Sequence, residues 1–451
     1  MKKRKIFSVI AVLMVSVMLL AACGGGNQAG NSGSDSNTEV FVDKDPSEYE
    51  GTLTIMVHSE QLAPIFQKFE EAYPNVKIDM QLVPGEEQLT KITNMVQAGV
   101  DVPDLYTCRT QFVGLLTEAE GYYANLSQAP FDGEALSKNL VPYTVDMGSD
   151  PNGGIRVLSW QAPVGGVFYR RSLAIEYFGT DDPEEVSKLF ADYDTWIETA
   201  KIIKEKSGGE VKAFSEFNDL YNVMRFAGTK GWVTDGKLTI DDNMEEIFEY
   251  AKTIYTEDLD LKLQKYQPGF FAAIENQQLF GMPAATWALN FNLMPSSPDT
   301  AGDWGLASAA NSFQAGGTYI GIYEKSEQKE LAWQFMKFLF GNEEAIEYYA
   351  TTAGDYVSNM VVSKKIAELS EEERAEFPTF TYMGNQNIYE FYNNEVAGGV
   401  NSAVITKYDE RFDAYIRTVM EAYCEGNMTY EEAIEQFKED VATNAPEVII
   451  E

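Results

Sequence analysis

Histidine and cysteine, the side chains that most often bind metals or act as nucleophiles, are scarce in this chain and badly spaced for either task. The 451 residues include one histidine, His58, and three cysteines, Cys23, Cys108 and Cys424. A single histidine rules out HExxH and repeated histidine ligands, and the cysteines form no CxxC pair. A Ser-His-Asp triad would have to use His58, and the sequence has no GxSxG elbow to expose a serine. GxxxxGK[ST] is also absent, so an ATP motor must be another polypeptide. Carboxylates are the abundant reactive type, with 70 Asp and Glu against 34 Lys and Arg. A glycoside hydrolase needs only two of them in register, and sequence cannot pair them. The clusters Asp181-Asp182, Glu184-Glu185 and Glu371-Glu372-Glu373 read as solvated helix starts. No metal, cofactor or catalytic residue is expected. Cys108 and Cys424 are expected as two buried thiols, with a disulfide as the alternative.

The remaining cysteine ends a recognisable leader. Lys2, Lys3, Arg4 and Lys5 precede an apolar run from Ile6 to Leu20, broken only by Ser8 and Ser16. That run is short for a transmembrane helix and fits a secretory signal. Leu20-Ala21-Ala22-Cys23 resembles the lipobox of bacterial lipoproteins, which implies a diacylglyceryl group on Cys23 as the mature N-terminus. Residues 1–22 are then signal peptide, and 23–50 are a tether that opens with Gly, Asn, Ser, Gln and Ala. The expected location is the outer face of a cell membrane. Formal charge is −36, and loss of the four leader cations makes it −40. Such a surface repels nucleic acid and anionic headgroups, so neither is an expected partner.

The body must supply a scaffold, and its patterning is α/β. Thr52–Val57 reads as a strand, followed by Leu62, Ile65, Phe66, Phe69 and Tyr73 at helical spacing. Val76, Ile78, Met80 and Leu82 alternate as a second strand. Leu89, Ile92, Met95 and Val96 make another helix face before a short strand from Pro103 to Tyr106. A β-α-β-α-β order favours a parallel sheet with ligands beyond the carboxyl ends of its strands. Later stripes at 196–203, 247–255, 331–339, 412–423 and 433–437 read as helix faces turned to the core.

Four pieces in order resemble the extracellular solute-binding proteins of ABC importers, specifically the carbohydrate-type, maltose-binding-protein-like family. They are Thr52–Leu82, Pro103–Leu126, Val157–Phe178 with Gly165-Gly166-Val167-Phe168-Tyr169-Arg170-Arg171, and Gly316–Phe335. The resemblance implies a two-lobed, periplasmic-binding-protein-like (type II) α/β fold with hinge crossings and a cleft between the lobes. It places lobe 1 at 51–160 plus 285–320 and lobe 2 at 161–284 plus 321–451, with crossings near Gln161, Ala284 and Gly321. It implies a monomer that binds a carbohydrate and serves membrane permease subunits, the ATPase being a separate chain. The alternatives are a binding protein for a charged solute such as a polyamine or peptide, or a secreted hydrolase.

Sugars offer apolar C–H faces for aromatic rings and hydroxyls for carboxylates, amides and guanidinium groups. The resemblance makes Trp287 the leading candidate for stacking. Trp160 and Gln161 are expected at the cleft floor. Ser59 and Glu60, beside His58, follow the first strand, and Arg109 and Gln111 follow the third. Gln386 lies in a Met383-Gly384-Asn385-Gln386 turn similar to one in some family members. Tyr408 and Asp409 precede the helix at Phe412 and complete the set, while Trp232 is expected in the core.

Overall fold

The computed structural model describes residues 40–450, so the signal run and Cys23 lie outside the described residues. Among the described residues there are nine strands: β1 Gly51–Val57, β2 Val76–Leu82, β3 Leu105–Arg109, β4 Gly165–Arg170, β5 Val233–Thr234, β6 Lys237–Leu238, β7 Gly281–Ala285, β8 Trp304–Ala307 and β9 Thr318–Ile322. β5 and β6 form a small hairpin, and the other seven build two sheets.

The first sheet has the order β2-β1-β3-β9. β1 runs parallel to β2 and β3, while β9 closes the edge antiparallel to β3. Its first crossover is the helix Ala63–Ala72, with a proline in the opening turn where the missing N–H has no helical partner to lose. That helix buries Ile65, Phe66 and Phe69, the periodic residues that predict it. The next helix, Gly85–Ala98, stops at Gly99 in the left-handed region (φ 65°). The helix Lys329–Gly341 packs on Phe66 and Phe69 through Phe335, in the same lobe.

The second sheet has the order β7-β4-β8, with both neighbours antiparallel to β4. All six residues of β4 are buried, as expected of a strand covered on both faces. Val167 and Tyr169 share a core with Trp196, Phe248, Phe412 and Phe437, the buried faces of four helices. Phe168 packs on the other side with Phe270, Leu289 and Leu306.

Three chain segments join the lobes side by side. Residues 158–164 run centrally and bridge to Ile320 and Gln314 on one side and to Val357 on the other. Backbone N–H groups of Ala315 and Ala162 donate to Pro163 and Tyr356, and Ser358 donates to Trp160. Gly165 is required here, because a Cβ would sit 2.2 Å from the Phe313 ring, just before the neighbouring crossing. The first crossing is residues 158–164. The second lies at 314–318 rather than near Ala284, because β7 and β8 both hydrogen-bond to β4 and the chain between them stays in the second lobe. The third lies at 356–358 rather than near Gly321, which is paired inside the first sheet. Residues 285–313 thus differ from the expected lobe, as do 321–355.

Cys108 in β3 and Cys424 at the end of the helix Asp409–Cys424 are free, buried thiols in different lobes. Burial pushes both up to about 12, so they stay protonated. Among the described residues, no helix is long and apolar enough to cross a membrane.

Candidate ligand cleft

The carboxyl ends of β1 and β3, the crossings and the second lobe enclose adjoining cavities. Chamber A, about 330 Å³, has His58, Gln61, Arg109 and Gln111 on the first-lobe side and Trp287 and Phe291 opposite. Gln161 and Thr318 form its floor. Chamber B, about 300 Å³, shares Gln111 and Gly316 with A and adds Asn222, Phe226, Gln314, Asp409, Asp413 and Arg417.

Trp287 is half-buried, and its indole N–H donates to the Ala315 carbonyl at 2.7 Å, which fixes the ring against the second crossing. Tyr266 braces it from behind, with ring centroids 5.4 Å apart. Gly316 (φ 68°) turns over the indole, where a Cβ would lie 3.1 Å from Nε1.

On the opposite wall, His58 has Nδ1 3.4 Å from Thr107 Oγ1 and Nε2 3.4 Å from Thr318 Oγ1. Burial, with help from Arg109, pushes the imidazole down to about 4, so it is neutral at pH 7. The Gln111 carboxamide oxygen, turned toward Arg109, accepts its Nε–H at 3.0 Å. Gln61 Oε1 is buried and accepts no hydrogen bond within the protein.

The floor is held by a buried carboxyl. Asp355 Oδ2 accepts from Gln161 Nε2 at 2.9 Å and from the Tyr349 hydroxyl at 3.2 Å, and Trp160 Nε1 donates to that hydroxyl at 3.0 Å. Burial pushes Asp355 up to about 7. With its amide nitrogen committed to Asp355, Gln161 has its carbonyl left for the chamber.

Chamber B carries groups that lack partners. Gln314 is 5% exposed, and its Oε1 accepts nothing. Arg417 stacks over Tyr221 at 4.8 Å and donates through Nη2 to Asn222, but its buried Nε–H is unpaired. Asp409 accepts from Thr406 N and Oγ1, and burial beside Asp413 raises its pKa.

Trp287, Gln161, Arg109, Gln111 and Asp409 are thus brought together at the cleft. The other candidates lie outside the two chambers. Trp160 is 4% exposed in the core behind the floor. Ser59 stands at the start of the turn Glu60–Leu62 without a side-chain capping bond, and in that turn Gln61, not Glu60, lines the chamber. Gln386 clamps β8, accepting from Leu306 N at 2.8 Å and donating to Leu306 O at 2.7 Å. Tyr408 stacks on Phe412 with centroids 5.1 Å apart. Sequence reasoning did not nominate Gln61, Asn222, Phe226, Gln314 or Arg417. Only Gln314 carried a local signal, standing two residues before Gly316-Gly317.

Known proteins match this fold. The profile of the family described as "Bacterial extracellular solute-binding protein" matches residues 57–346. No curated protein matches the chain. A crystal structure of an "Extracellular solute-binding protein family 1" member superposes with a TM-score of 0.75 at 16% identity, covering 86% of this chain and 99% of that one. The ABC-transporter-associated binding protein from B. animalis subsp. lactis Bl-04, in complex with β-1,6-galactobiose, gives 0.67 at 15% identity over 89% and 100%. The galacto-N-biose-/lacto-N-biose I-binding protein from Bifidobacterium longum, in complex with lacto-N-biose, gives 0.68 at 16% over 90% and 98%.

Proposed function

The chain belongs to the bacterial extracellular solute-binding proteins, and from that premise we propose that it captures a neutral sugar or oligosaccharide by lobe closure and delivers it to a membrane permease. It is an extracellular solute-binding protein of an ABC transporter. The observation that carries the sugar reading is the mixture of amide and guanidinium side chains beside aromatic rings. The amides of Gln61, Gln111, Gln161 and Gln314 line the chambers with donors and acceptors, and the Arg417 guanidinium adds donors. A hydroxyl is both, and Trp287 and Phe291 offer faces to sugar C–H groups. The sugars held by the two structural neighbours support the same class. Ligand touches both walls only in the closed form, so its binding energy shifts the lobes toward closure.

Calorimetry across a carbohydrate panel is expected to find a reversible binder that is recovered unreacted. Small-angle scattering should then record a smaller radius of gyration at saturation. The acids of chamber B make polyamines the informative competitor. If a polyamine or peptide binds with salt-sensitive affinity while every sugar fails, the sugar reading is wrong.

The membrane part of the proposal rests on Leu20-Ala21-Ala22-Cys23. Two acyl chains give stable anchoring at about 0.8 kcal/mol per buried CH₂. Mass spectrometry of the mature protein should find a lipidated Cys23 at its N-terminus, and Cys23→Ser should release the chain or leave it unprocessed. A soluble wild type with a free Cys23 thiol defeats this part.

A further inference from the structure

The Gln161 side chain belongs to two environments at once. It lines the floor of chamber A, and its amide nitrogen donates to Asp355 Oδ2 at 2.9 Å. The two residues are held together by neighbouring crossings. Gln161 pairs with Val357 in an antiparallel bridge, and the Ala162 N–H donates to the Tyr356 carbonyl.

Asp355 is fully buried, and the groups that face it are uncharged. Tyr349 reaches Oδ2 at 3.2 Å from the helix Glu343–Ala353, and the Tyr356 N–H donates to Oδ1 at 3.0 Å. Tyr389 and Tyr392 approach from the helix Ile388–Gly398, the Tyr389 hydroxyl donating to the Asp355 carbonyl. Gln161 and Thr286 complete the surroundings. Burial raises the pKa of Tyr349, Tyr356, Tyr389 and Tyr392, so all four stay neutral. With these donors but no cation among them to offset burial, the carboxyl titrates at about 7.

Protonation reverses what the carboxyl asks of the amide. Ionised, it only accepts, so Gln161 presents Nε2–H to it and its own carbonyl to the chamber. Protonated, it has an O–H to place. Tyr349 already accepts from Trp160, and the Tyr356 N–H is a donor, which leaves the Gln161 carbonyl as the acceptor at hand. A half-turn of the amide supplies it and brings the NH₂ edge round to the chamber.

We propose that Asp355 is a positioning residue whose protonation state selects which edge of the Gln161 amide meets the ligand, the carbonyl when ionised and the NH₂ when protonated. The inference rests on the sugar reading of chamber A and adds a pH-dependent specificity to it. Arg109 offers only donors, and the Gln111 carbonyl accepts from Arg109. The Gln161 carbonyl is then the floor's acceptor for a sugar hydroxyl, so the ionised state binds more tightly. By reciprocity, sugar lowers the Asp355 pKa, and binding near pH 7 releases protons. Of the other titrating groups in the cleft, His58 at about 4 stays neutral above pH 5.5, whereas Asp409 in chamber B has a raised pKa.

Trp160 gives a readout that needs no ligand, since its indole N–H donates to the Tyr349 hydroxyl on Asp355. In proton–nitrogen correlation spectra of the whole mature chain, that indole resonance, assigned through Trp160→Phe, is expected to shift with a midpoint near pH 7. Asp355→Asn places an N–H where the acid has its O–H, so the variant should fold, keep the protonated arrangement and hold the resonance fixed. Calorimetry then uses the tightest binder among gluco-, galacto-, xylo-, manno- and arabino-saccharides. Wild type is expected to bind it at least threefold tighter at pH 8.5 than at pH 5.5, with a heat at pH 7 that varies with the ionisation enthalpy of the buffer. Asp355→Asn is expected to show the pH 5.5 affinity at both values. An indole resonance that does not titrate overturns the proposal before any ligand is added. A pH step that survives in Asp355→Asn belongs to Asp409 and overturns it while the sugar reading stands, as does an affinity that is flat in wild type. Failure of every saccharide overturns both.

Discussion

Replacing Arg225 by methionine is expected to lower folding stability by about 3 kcal/mol at pH 8 and by much less near pH 4. The Arg225 side chain is 7% exposed, with Asp409 at 3.7 Å and Asp413 at 3.9 Å. It also lies over the Trp232 ring at 4.8 Å and donates to the Val404 carbonyl at 3.2 Å. Asp413 is held in place by the Tyr221 hydroxyl at 2.6 Å and Trp232 Nε1 at 2.8 Å, so it cannot swing out to water when the cation is lost. Methionine keeps much of the apolar stem and leaves two carboxyls facing each other without a counter-charge.

The pH dependence follows from Asp409, whose pKa burial and Asp413 raise while Arg225 opposes them. A carboxyl with a raised folded pKa contributes its full stability below the unfolded value near 4 and loses it as pH rises through the raised one. Without Arg225 the rise is larger, so the deficit of the variant grows from acid toward pH 8. Urea unfolding at both pH values checks this. An equal loss at the two would mean that Arg225 matters only as packing. Asp409 and Asp413 line chamber B, so the same substitution should also disturb that wall of the cleft.

How much of this could be read beforehand depends on the range of the interactions involved. The β-α-β-α-β start and the helix faces were legible because amphipathic periodicity is local. The candidates after β1 and β3 landed near the cleft because carboxyl ends of parallel strands face ligand, a consequence of topology rather than of residue type. The second and third crossings were not legible. β7 and β8 have five and four residues, and nothing local states that both pair with β4. The errors at single residues have equally definite causes. Along the extended segment 159–162 side chains alternate, so Gln161 on the cavity side puts Trp160 on the core side. Tyr408 lies four residues before Phe412, at the spacing that joins two rings on one helix face. Asn222, Phe226 and Arg417 were missed because a helix face turned to an empty cleft has the same pattern as one turned to water.

Trp287→Ala is expected to weaken sugar binding at least tenfold while leaving the protein folded. Loss of an aromatic anchor in an enclosed site typically costs more than about 1–2 kcal/mol, and 1.4 kcal/mol is tenfold in affinity. Trp287 is placed for that role by its surroundings. The indole N–H is fixed on Ala315, and Tyr266 supports the ring, so little freedom remains to be lost when a sugar arrives. It is also set apart from the other five tryptophans, Trp160, Trp196, Trp232, Trp304 and Trp333, each at most 4% exposed. Ligand-dependent change in tryptophan fluorescence should therefore arise chiefly from Trp287, and Trp287→Phe should abolish most of it. Phenylalanine keeps a flat face but loses the bond to Ala315, so its affinity is expected between those of wild type and Trp287→Ala. That ordering separates stacking from scaffolding: if the ring only braced the second crossing, Phe and Ala would weaken binding equally and both would lower the melting temperature. A sugar that binds Trp287→Ala as tightly as wild type removes Trp287 from the site, and chamber A would then have to recognise its ligand through Arg109, Gln61 and Gln161 alone.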